Sequence, residues 1–134
     1  MENADPRSKF FQYKPGDDVG PLEDWPFDNP TSDYVILEGS APLASGRIDH
    51  GGPGHTSRFG IWKCTKGVFS CTEQGDEMFT ILSGKCRLID HTRGDLSYDL
   101  GPGDSLFVLD GSRVTWDIHE DVVKVFYGQK LDKF

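Results

Sequence analysis

Asp76-Glu77-Met78-Phe79-Thr80-Ile81-Leu82-Ser83-Gly84 is the segment on which the fold turns. A strand shows its side chains alternately to its two faces. Glu77, Phe79 and Ile81 therefore share one face, and Met78, Thr80 and Leu82 the other. Both faces are largely apolar, the pattern of a strand covered on both sides. One face is expected to line an interior, the other to meet a second sheet or a subunit. Gln74-Gly75-Asp76 before the segment and Ser83-Gly84 after it read as turns.

The same grammar extends in both directions. Short β-type runs are predicted at 34–39, 58–64, 68–72, 77–82, 85–90, 97–100, 105–109, 114–118 and 122–127. Gly-containing turns punctuate them at Lys66-Gly67, Thr92-Arg93-Gly94-Asp95, Gly101-Pro102-Gly103-Asp104 and Asp110-Gly111. His50-Gly51-Gly52-Pro53-Gly54-His55 reads as a loop. Every window with helical spacing is cut by Gly or Pro. The cadence is that of an all-β antiparallel sandwich or barrel.

At 134 residues the chain fits one hydrophobic core. Hydrophobic residues make up only 36%, but three Trp, four Tyr and nine Phe supply large buried surfaces. Residues 1–33 differ from the rest: Pro, Gly and Asp recur, and Phe10, Phe11, Tyr13, Trp25 and Phe27 are interspersed. The prolines forbid a long helix or central strand there. The segment reads as an extended arm that packs its aromatics against the body, residues 34–134, or against a partner subunit.

A formal charge of −8 argues against an extended nucleic-acid surface. No apolar run reaches the roughly 18 residues of a membrane helix. The first residues carry no apolar targeting segment. Three cysteines without a Cys-x-x-Cys pair fit reduced thiols in a cytoplasmic setting rather than a zinc knot. His50, His55, His91 and His119 are scattered without metal-ligand spacing.

An ordered set of motifs resembles the cupin superfamily. They are Gly60-Ile61-Trp62-Lys63-Cys64-Thr65-Lys66-Gly67-Val68-Phe69, Asp76-Glu77, Leu82-Ser83-Gly84, Gly101-Pro102-Gly103-Asp104 and Thr115-Trp116. More narrowly they are similar to the ureidoglycine aminohydrolase-like cupin group. The resemblance spans about residues 58–128. It implies a double-stranded β-helix, the jelly-roll barrel, with a ligand pocket in its mouth and a homodimeric assembly. Metal-binding cupins carry His-x-His, a Glu, a Gly and a later His. Here Glu77 and Gly84 match the Glu and Gly. The paired histidines fall on Ser70 and Thr72, or one residue later, and the last on Val114. Three of four ligands are absent, so no metal and no other cofactor is expected.

Glu77 is the candidate acid/base: a carboxyl facing inward beside Phe79, Trp62 and Trp116 is shielded from water, which raises its pKa. Trp62 and Trp116 either stack a ligand or fill the barrel. Cys64 shares the Trp62 face. Ser70 and Thr72 offer hydroxyls, and Arg87, Arg113, Lys124 and Tyr127 are candidate anchors for a carboxylate or amide. The substrate-binding set is thus Trp62, Cys64, Ser70, Thr72, Phe79, Trp116 and Tyr127, facing a small polar metabolite. Three readings follow: a metal-independent isomerase, lyase or aminohydrolase; a binding or sensing module; and a filled structural barrel.

Overall fold

A computed structural model describes residues 10–27 and 32–134. Readings that fall on 1–9 and 28–31, including the Asn29-Pro30 part of the arm, lie outside the described residues. The described residues contain strands and no helix. None of them, therefore, forms a helix long and apolar enough to cross a membrane. The strands are β1 (Glu23–Asp24), β2 (Val35–Glu38), β3 (Ala44–Gly51), β4 (Ser57–Cys64), β5 (Gly67–Thr72), β6 (Asp76–Asp90), β7 (Leu96–Leu100), β8 (Ser105–Val108) and β9 (Arg113–Gln129).

β9 is the spine. Along one edge its first half pairs with β5 and its second half with β4. Along the other edge it pairs with β6 for most of its length. β6 passes the ladder on to β8 and β7. The path β1-β3-β4-β9-β5-β2, with β6 and its partners on the far side, curls the sheet into a β-barrel. All these pairings are antiparallel. Phe69, Phe79, Ile81, Leu88, Val114, Trp116, Ile118 and Val122 fill the interior.

Two expected breaks are instead continuations. The 77–82 and 85–90 runs are one strand, β6, and the 114–118 and 122–127 runs are one strand, β9. The Ser83-Gly84 step is a bulge: the β6–β9 register shifts between Ile81 and Cys86. An extra residue there bends the strand and raises its twist without reversing it. Gly84 is required at the bend. Its φ is +85°, and a Cβ would lie 2.1 Å from the Asp121 carbonyl oxygen. The second correction is β3. His50 and Gly51 close this strand rather than opening a loop. The outer face of β6 is also less covered than its composition suggests: Leu82 is buried, but Met78 is 45% exposed.

The arm is pinned along β3. The Trp25 amide donates to the Ala44 carbonyl at 2.9 Å. The Trp25 ring covers Gly46, where a Cβ would stand 2.2 Å from the ring. Arg47 Nη1 donates to the Val19 carbonyl at 2.6 Å, and Arg47 Nη2 donates to the Tyr13 hydroxyl at 2.8 Å. Tyr13 in turn donates to Asp49. Phe11 and Tyr13 lie against Phe59, and Phe27 stacks on Tyr34 at 4.5 Å. Small and polar β3 residues are thus complements to the arm.

Candidate functional site

The inward faces of β4, β9 and β6 meet in cross-strand rows. Trp62 faces Lys124, Gly60 faces Phe126 and Arg58 faces Gly128. On the other side of β9, Glu77 is opposite Gly128 and Phe79 opposite Phe126. β5 adds Phe69 opposite Trp116. These rows enclose a cavity of about 340 Å³, closed at one side by Trp25 and Phe27 of the arm.

At its floor Lys124 Nζ donates to Glu77 Oε2 at 2.6 Å. The two side chains are 6% and 7% exposed. The ammonium also lies 4.5 Å from the Phe79 ring centroid, 4.8 Å from Trp116 and 4.9 Å from Trp62. Ring faces attract a cation, so three aromatics and a carboxylate share one charge. Glu77 is therefore not the solitary acid expected among indoles: it has a cationic partner 47 residues away.

A second carboxyl completes the group. Trp116 Nε1 donates to Glu73 Oε1 at 3.0 Å, and the Cys71 thiol contacts the same oxygen at 3.6 Å. Burial pushes the Glu73 carboxyl above its ordinary value; the Lys124 charge opposes this and the Glu77 charge adds to it. A raised folded-state value means the folded protein holds a proton that the unfolded chain releases. Stability from Glu73 is full below the unfolded value near 4.5 and is lost as pH rises through the folded value. Glu73→Gln keeps the acceptor and cannot ionise. Its unfolding free energy relative to wild type is expected to rise with pH above about 4.5 and then level off. Urea titrations at stepped pH measure this; a difference independent of pH would remove Glu73 from the buried acid group.

The structure distributes the expected site residues unevenly. Glu77, Trp62, Trp116 and Thr72 line the cavity. Phe79 lies in the core beneath the Lys124 ammonium. Cys64 lies wholly in the core, its thiol pushed up to about 12 by burial, and it does not join the cavity lining as expected of a substrate-binding residue. Alternation turns Ser70 to the face of β5 opposite Phe69 and Cys71. Tyr127 points outward, where its hydroxyl accepts from Gln129 Nε2 at 2.9 Å. Of the candidate anchors, Lys124 enters the cavity. Arg87 pairs outward with Asp99 at 2.7 Å, and Arg113 pairs with Asp33 at 2.8 Å. Arg58 was not singled out from the sequence, and Glu73 entered only as the later register of a paired-histidine position. Each extends an inward row by two positions, Arg58 that of Gly60, Trp62 and Cys64, and Glu73 that of Phe69 and Cys71.

The side chains do not fit a divalent metal. Glu77, at the motif position of a cupin ligand, already faces an ammonium. Among the described residues no group of three or more His, Cys, Asp or Glu is placed to hold one ion. Cys71 and Glu73, in the later register of the paired-histidine positions, are both shifted by burial toward their protonated forms.

Solved structures share the fold. A protein of unknown function of the DUF861 family from Pseudomonas syringae pv. tomato aligns with a TM-score of 0.66 at 20% identity. The alignment covers 81% of this chain and 44% of that one. The Clostridium difficile EutQ protein aligns at 0.57 and 14% identity, covering 82% and 78%. A structure from work on the DMSP lyases RdDddP and RnDddQII aligns at 0.54 and 12%, covering 66% and 48%. At these identities the likeness is one of fold. No curated protein matches the sequence. The EutQ-like cupin domain matches residues 51–126, more than half of the chain, and with the barrel described above this makes the protein a member of that cupin family.

Proposed function

We propose that this cupin binds a small polar metabolite in the barrel mouth and performs metal-independent acid–base chemistry on it. The Lys124–Glu77 pair at the cavity floor, with the proton-rich Glu73 beyond Trp116, carries this reading. A carboxylate beside an ammonium and a second carboxyl within the same cavity give one site the groups both to take and to give a proton. Glu77 removes a proton from the bound molecule, the Lys124 ammonium holds the negative charge that develops, and Glu73 returns a proton at the second position. The aromatic walls exclude water, which strengthens both charges. Isomerisation, elimination and hydrolysis of an amine or ureide all use this pair of transfers. The ordered motifs around Trp62 and Glu77 support kinship with the ureidoglycine aminohydrolase-like group.

The second reading, a binding or sensing module without turnover, is favoured by the closeness of the ion pair. At 2.6 Å, Lys124 engages one of the two oxygens through which Glu77 could take a proton. The two readings separate in one experiment. Small amino, hydroxy and ureido compounds are screened by thermal shift, and those that bind are followed by NMR for conversion. Turnover by wild type, reduced about 100-fold or more in Glu77→Gln with binding retained, is the expected result. A ligand that wild type binds tightly and never converts would establish the sensing role instead.

A further inference from the structure

Among the described residues, Arg58 is a charged side chain of the cavity without a carboxylate partner. Lys124 is matched by Glu77, and Asp33 is matched by Arg113 outside the cavity. Glu73 is shifted toward its neutral form. Among the described residues this leaves the Arg58 guanidinium as the unpaired cation of the cavity lining. Its Nε is sealed from solvent and meets no acceptor. Buried donors in folded proteins are nearly always satisfied, so an orphaned one on a side chain that lines a cavity points to an acceptor brought in when the cavity is filled. The guanidinium plane is already held: its carbon lies 4.0 Å from the Phe134 ring centroid and 5.8 Å from that of Phe126. The rings supply no acceptor oxygen, so the N–H groups keep their capacity for one.

We infer that Arg58 anchors a small monocarboxylate whose other end bears a hydrogen-bond donor directed at Glu77 and Glu73. The inference rests on the small-molecule reading above and names the class of ligand. A planar fork of N–H groups matches the two oxygens of a carboxylate, which an ammonium does not. One unmatched positive charge accommodates one negative charge. A phosphate dianion is disfavoured, because the acceptor oxygens of Glu73 and Glu77 line the same space. A cavity of about 340 Å³ limits the ligand to a compact acid. Its donor end, an amino, hydroxyl or ureido group, meets the carboxyls, and its apolar part meets Trp62 and Trp116.

Glycolate, lactate, glycine and hydantoate are the probes, each beside its primary amide, with inorganic phosphate as a further arm. Affinities are measured by calorimetry on wild type, Arg58→Met and Arg58→Lys. At least one acid is expected to bind wild type, with its amide and phosphate about tenfold weaker or more. Arg58→Met should weaken that acid by at least about tenfold. Arg58→Lys, which keeps the charge without the fork, should fall between. Circular dichroism of the unliganded variants establishes folding, and Arg58→Lys carries the test if Arg58→Met does not fold. Amides that bind as well as acids, or acids that bind the variants undiminished, would overturn the inference. If wild type takes up the amides and none of the acids, the carboxylate anchor fails while the small-molecule reading stands. If no probe of either charge binds, both fail.

Discussion

Lys124→Met is expected to lower the unfolding free energy by about 3–4 kcal/mol at pH 7 and by only about 1 kcal/mol near pH 5. Methionine fills the stem's place among Trp62, Phe79 and Trp116, and its sulfur packs well against rings. The substitution therefore removes the charge and little volume. Glu77 is left buried without its cation. A dry, unpaired carboxylate takes up a proton instead. The penalty is then the cost of that protonation, about 1.36 kcal/mol for each pH unit above the unfolded glutamate value near 4.5. At pH 7 the loss corresponds to a drop in melting temperature of roughly 10–15 °C for a domain of this size. Thermal and urea denaturation at the two pH values measure it. An equal loss at both would show that lost packing, not an orphaned charge, is responsible. Adding Glu77→Leu to Lys124→Met should recover most of the stability, since an apolar pair can replace a buried ion pair at little cost. Ligand binding should not recover. Stability and function thus separate at one pair of residues.

The sequence made the faces legible and left the partners hidden. Period two placed Glu77, Trp62 and Trp116 on inward faces, because alternation is a property of each strand alone. It did not pair Glu77 with Lys124. That contact joins β6 and β9 across 47 positions, and only the register of two ladders brings them together. Extending the inward rows by two would have reached Arg58 and Glu73. The bulge at Gly84 was illegible for a different reason: a glycine with positive φ serves a turn and a bend equally well, and long-range pairing decides between them. β3 escaped notice because Ser45, Gly46, Arg47 and Asp49 carry no apolar alternation. Their complement is the arm, whose Trp25 lies over Gly46 and whose carbonyls accept from Arg47.

Phe69→Ala is expected to cost about 3–5 kcal/mol and to release the arm before the barrel unfolds. Phe69 has no exposed surface. Its ring lies 4.7 Å from Phe27, 5.4 Å from Tyr34 and 6.5 Å from Trp62, so it joins the arm, the chain entering β2 and the cavity wall in one cluster. Truncation leaves Phe27 with Tyr34 as its stacking partner and opens a gap beside the cavity. The Trp62 face of that gap is held by β4, whereas the Phe27 face belongs to a segment with few ladder bonds of its own. Local opening follows the side with least support. Leu88→Ala is the control: Leu88 is equally buried, lies on β6 paired with β7, and costs about 2–5 kcal/mol when truncated. Chymotrypsin cleavage after Phe11 or Tyr13, measured under conditions that keep each barrel folded, should be faster in Phe69→Ala than in Leu88→Ala. Equal cleavage in two variants of similar stability would mean that the arm is held by β3 alone, through Arg47 and Asp49, and that the aromatic cluster contributes to the barrel without fastening the arm to it.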